Sequence, residues 1–91
     1  MDYREELRAG IEHAHGCKAL HIATTPVKEV FQGRVAWEGE VETFVLTGHA
    51  KAKKAHAWGY FEDSGKMEIV TVLEIPPVDS PQTAVKAAIA S

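Results

Sequence analysis

The sequence predicts an α+β fold: a four-stranded antiparallel sheet with N- and C-terminal helices in the order α-β-β-β-β-α, both helices on one face. Three observations carry this. A helical period over the first fifteen residues stops at Gly16, runs of period two separated by turn residues follow, and an alanine-rich segment opens at Ser80-Pro81.

In "DYREELRAGIEHAHG", Tyr3, Leu7, Ile11 and Ala14 form the stripe of an amphipathic helix over 3–15. Asp2 is placed to cap it and Glu5 follows three residues later, a capping-box spacing, while Gly16 supplies the left-handed stop. Leu20 and Ile22 then alternate with His21 and Ala23, and Pro26 interrupts before "VKEVF", which reads as a strand with an edge-like break. Gln32-Gly33 separates this from "RVAWEGEVETFVL" at hairpin spacing. Val35, Trp37, Val41 and Val45 share one side of that strand, and Glu38, Glu40 and Glu42 point the other way as a wet face that Phe44 and Leu46 join.

"HAWGYF" resumes the strand pattern, "EDSG" turns the chain, and "KMEIVTVLEI" is the most strand-like run. Its Met67, Ile69, Leu73 and Ile75 oppose Val70 and Val72, so it is apolar on both sides and is expected to be central or covered at an interface. Pro76-Pro77 ends it, Ser80 caps the last helix, and Val85, Ala88 and Ile89 face inward. Two helices about 10 Å apart suffice to cover one face of a sheet roughly 15–20 Å wide. The second face would keep Phe44, Leu46, Val70 and Val72, an apolar patch suited to association.

Residues 1–91 are read as a single α+β domain, without repeat or linker. The composition, 45% hydrophobic and 25% charged, is that of a folded protein. One cysteine closes no disulfide within the chain, and "MDYREELRAG" lacks the basic and apolar regions of a secretion signal, so a cytoplasmic location is expected. No apolar run has the length to span a bilayer, and no membrane partner is expected. The net charge of −3 removes the global attraction behind non-specific nucleic-acid binding.

"EHAHGCKALH" gathers three histidines and Cys17. On a helix His13 and His15 stand about 160° apart at roughly 100° per residue, which prevents them from sharing an ion. His13 with Cys17 would need the helix to pass Gly16, and then His21, His49 or His56 to complete a tetrahedron. The spacing therefore favours a helix end with a buried thiol, and no metal or other cofactor is assigned.

The second suggestive stretch is "GHAKAKKAHAWGYF". Lys51, Lys53 and Lys54 offer charge for phosphate, Trp58 a stacking ring, and His49 and His56 titratable groups, which together form a candidate binding surface. Phosphate loops, dinucleotide fingerprints and nucleophile elbows are absent from the sequence, and it assigns no catalytic residue.

The run "VFQGRVAWEGEVETFVLTGHAKAKKAHAW", with "VTVLEIPPVDSPQTAVKAAI", resembles a group of short uncharacterised bacterial proteins over most of the chain. That pattern has proline after Gly-His where this chain has Ala50. The resemblance implies a bacterial single-domain protein and carries no activity. The leading expectation is a small non-enzymatic binding or assembly module, a homodimer associating through its sheet. A nucleic-acid-binding domain using residues 48–61 and a small enzyme or metal-binding protein using the histidines are the alternatives.

Overall fold

A computed structural model describes residues 3–90. Helix α1 spans Tyr3–His15, strands β1 to β4 span Lys18–Phe31, Arg34–Thr47, Lys54–Phe61 and Met67–Leu73, and helix α2 spans Pro81–Ala90. The strands pair antiparallel in chain order, β1-β2-β3-β4. Element order and sheet are those the sequence predicts. Among the described residues no helix is long and apolar enough to cross a membrane.

Local signals set most boundaries. Gly16, at φ +63°, donates its N–H to the Glu12 carbonyl and ends α1; the expected cap at Asp2 lies outside the described residues. Gln32 and Gly33 both have positive φ and join Phe31 to the facing Arg34, a two-residue turn whose twist suits a hairpin. At the start of α2, the Ser80 hydroxyl accepts the Thr83 N–H while the Thr83 hydroxyl accepts the N–H of Ser80.

Pro26 does not break β1. It stands opposite Glu40, and the alternation fixed by the bond from Leu46 N–H to the Lys53 carbonyl turns the main chain of Glu40 toward β3. Proline's missing N–H therefore faces away from β2, and the edge strand continues at no cost to its ladder.

The helices pack on opposite faces, which corrects the expectation of one shared face. Leu7 and Ile11 of α1 pack with Ala19, Phe44, Leu46, Ala55 and Ala57, whereas Ala84 and Val85 of α2 pack with Val27, Val41 and Trp58. Phe44 and Val41 have opposite parity on β2, as do Ala57 and Trp58 on β3, so the two cores lie on two sides of one sheet. The two-sided apolar pattern of β4 has the same origin: Leu73 packs into the α1 core, Val70 and Val72 into the α2 core. The patch expected from Phe44, Leu46, Val70 and Val72 is thus split between faces and covered on both.

Candidate functional site

Strands β2 and β3 pair only from Glu42 opposite Ala57 to Val45 opposite Lys54. Beyond Glu42 the β1-β2 hairpin and the β3-β4 hairpin part, and a 580 Å³ cavity opens between them. Its walls include Tyr3, Trp37, Glu38, Glu40, Glu42 and Tyr60. Continuing the alternation points the main-chain groups of Glu38 and Glu40 into this notch from one side and those of Gly59 and Phe61 from the other.

Aromatic rings sit where glycines leave room. The Trp37 ring lies over Gly39 so closely that a Cβ there would stand 2.8 Å from Trp37 Cζ2. The Tyr3 ring lies over Gly59, where a Cβ would stand 3.0 Å from Tyr3 Cε1. Trp37 continues inward to Trp58, ring centroids 5.6 Å apart. The Tyr3 hydroxyl accepts the Gly59 N–H at 2.5 Å, replacing the bond that β2 would have taken. Burial pushes the Tyr3 phenol above its ordinary pKa, the Gly59 N–H offsets part of this, and the charges of Glu42 and Glu40 add to it. The hydroxyl therefore keeps its proton as a donor.

The notch floor is a buried charge. Glu42 is 4% exposed, and its Oε1 accepts from the Thr24 hydroxyl and lies 2.7 Å from His21 Nε2 and 3.4 Å from Arg4 Nε. Arg4 also donates to Thr24 Oγ1 at 3.4 Å, and the His21 ring meets Phe44 edge-on. His21 and Thr24, three residues apart, would ordinarily face opposite sides of a strand. The register shift between His21 and Ala23 makes Ile22 an extra residue and brings both onto the face of α1. Glu42 is therefore not part of a wet face, as its alternation with Glu38 and Glu40 suggests. No sequence pattern marks the shift.

A second buried polar group occupies the other face. His56, 1% exposed, has Nδ1 2.9 Å from the Thr43 hydroxyl and Nε2 2.9 Å from Glu74 Oε1. Both ring nitrogens are thereby engaged.

The candidate surface around residues 48–61 is dispersed. Lys51, Lys53 and Lys54 are exposed at the end of the sheet opposite the notch, but Trp58 is 3% exposed in the α2 core and offers no stacking face. His56 is buried as described, and His49 Nδ1 accepts the N–H groups of Lys51 and Ala52 to hold the turn. The "EHAHGC" group disperses likewise: His13 is exposed, His15 meets the Thr71 hydroxyl at 3.2 Å, Cys17 is buried beneath α1, and His21 holds Glu42. Among the described residues no three histidine, cysteine, aspartate or glutamate side chains are grouped to hold a metal ion. No family model, curated protein or solved structure matches this chain.

Proposed function

We propose that the protein is a small non-enzymatic binding module that takes an extended basic peptide segment into the notch between its two hairpins. The parting of β2 from β3 after Glu42 is the observation that carries this reading. It leaves strand-spaced main-chain groups along both walls, which suit an added strand, and the carboxylates of Glu38 and Glu40 select for lysine or arginine. Trp37 and Tyr60 line the α2 side of the notch and provide ring faces for the alternate side chains of the same strand, and the Tyr3 hydroxyl supplies a donor at the inner end. The buried ionisable groups are held by internal partners: Glu42 by three side chains, His56 by two. That favours a structural role for them over proton transfer.

The test is fluorescence titration with a short peptide alternating lysine and threonine, compared with its glutamate counterpart. The lysine peptide should shift tryptophan emission, bind more weakly as salt rises, and lose about tenfold in affinity to the Glu38→Gln/Glu40→Gln protein. Trp37→Phe should abolish the spectral shift while Trp58 remains. Equal binding of both peptides, or binding indifferent to the double substitution, would overturn the proposal.

A further inference from the structure

We infer that β4 pairs with β4 of a second copy of this chain, antiparallel about a two-fold axis at Val70, to give a continuous eight-stranded sheet. The inference rests on the outer edges of the sheet and is independent of the notch.

The two edges are built differently. β1 carries Pro26, register shifts after His21 and after Glu29, and Lys18 and Lys28, all devices that discourage pairing with another strand. β4 carries none of these: its register with β3 is unbroken from Met67 to Leu73, and the run "MEIVTVL" is rich in β-branched residues. A helix packs on each face of the sheet, so a second copy that extends the sheet by strand pairing does so at an edge.

The main chain fixes which groups are on offer. Glu74 donates to the Lys54 carbonyl and Glu62 to the Lys66 carbonyl, so the even-numbered residues of β4 bond to β3. Met67, Ile69, Thr71 and Leu73 therefore turn their N–H and C=O groups outward. The Leu73 carbonyl already accepts the Ile75 N–H at 2.9 Å, which leaves its second lone pair.

A two-fold axis at Val70 sets Ile69 opposite the partner's Thr71 and Met67 opposite the partner's Leu73, so every outward residue of the strand meets another outward residue. The same register sets Lys66 opposite the partner's Glu74, on one side of the sheet, at both ends of the junction. A strand that matches itself in hydrogen bonding, apolar contact and charge identifies the occupant as a second copy. The isologous pairing closes the assembly at two subunits and leaves the blunted β1 edges outside.

The test uses the full chain. Sedimentation of the wild type over a concentration series should show a monomer–dimer equilibrium. Ile69→Pro removes an outward N–H without touching the β3 ladder and should raise the dissociation constant at least about tenfold, with the fold checked by circular dichroism. Val70→Cys places two thiols at the axis, where facing Cα atoms of a non-hydrogen-bonded pair are about 4.5 Å apart, and should crosslink on mild oxidation. Glu68→Cys should not, since its counterpart lies four positions along the partner strand. Should Ile69→Pro fail to fold, the cysteine pair decides the matter. A wild type that stays monomeric at its highest concentration, or a dimer that crosslinks at Glu68→Cys and not at Val70→Cys, would overturn the inference.

Discussion

The two faces of the sheet are filled in different ways. Under α1 the helix inserts two large aliphatic side chains, Leu7 and Ile11, which pack on Phe44 and Leu46 and fill the space over the small Ala55 and Ala57. Under α2 the sheet brings the bulk, Trp58, Val41 and the partly buried Trp37, and the helix answers with Ala84, Val85 and Ala88. The polar clusters are inverted too. Beside α1 a carboxylate is buried and its histidine lies at the rim, whereas on the α2 face the histidine is buried and its carboxylate, Glu74, is 25% exposed. Each helix is therefore held by a different partner's side chains, and each polar pair is most vulnerable at its rim member.

The largest expected effect tests the division of bulk. Leu7→Ala should cost about 2–5 kcal/mol in chemical unfolding, since Leu7 is wholly buried and is one of the two large side chains that α1 inserts. Val85→Ala, the matching truncation on α2, should cost about 1–3 kcal/mol because the sheet supplies most of that core. Equal losses would dissolve the distinction.

Much of this was legible before the structure. The Gly16 stop, the Gln32-Gly33 hairpin, the two-sided β4 and the Ser80-Pro81 helix start all follow from local steric and hydrogen-bonding rules, which a sequence displays directly. The side taken by α1 is set by how the chain enters β1 past Gly16, and the side taken by α2 by how it leaves β4, and no alternation pattern encodes either; the sequence alone therefore leaves Phe44/Leu46 and Val70/Val72 looking like one open patch. The notch and the Glu42 cluster were hidden for a related reason. One depends on where β2 parts from β3, the other on a single extra residue at Ile22, and both are properties of pairing between strands.

The inverted polar pairs sharpen the comparison at smaller magnitude. His21→Ala removes a rim partner and leaves the Glu42 charge buried with Arg4 and Thr24, a cost of about 2–4 kcal/mol. Glu42→Gln should cost less, because its amide oxygen still accepts from Thr24 and the histidine turns to water. On the other face Glu74→Ala leaves the Nε2 side of buried His56 without its acceptor, at about 1–2 kcal/mol, since water reaches the partly exposed Glu74 position. Thermal or urea unfolding of the three variants should preserve the order His21→Ala, Glu74→Ala, with Glu42→Gln no worse than His21→Ala. The reverse order within the α1 pair would mean that the buried member dominates.

The smallest effect lies at the turn joining α1 to the sheet and appears only in acid. Glu12 reaches across Gly16 to accept the Ala19 N–H at 2.8 Å, and that bond, assisted by Arg8 at 2.9 Å, holds its carboxyl below the usual carboxylate range. A carboxyl with a depressed folded-state pKa contributes stability that is present above the unfolded value, about 4.3, and is lost as pH falls through the folded value. Glu5 is lowered as well, through its bond to Arg8, so it contributes to the same acid limb. Glu12→Gln keeps an oxygen for the Ala19 N–H but stands in for the protonated acid, so it should lower neutral-pH stability by what the charge contributes, leave acid stability nearly unchanged, and thereby flatten the loss below about pH 4.3. The Glu5→Gln/Glu12→Gln protein should flatten it further. At the start of α2 Ser80 and Thr83 exchange hydrogen bonds, and the Thr83 hydroxyl donates to Asp79 Oδ1 at 3.1 Å. Acid unfolding followed through the two tryptophans measures this directly, and an unchanged acid slope in the double variant would place the acid sensitivity outside this turn.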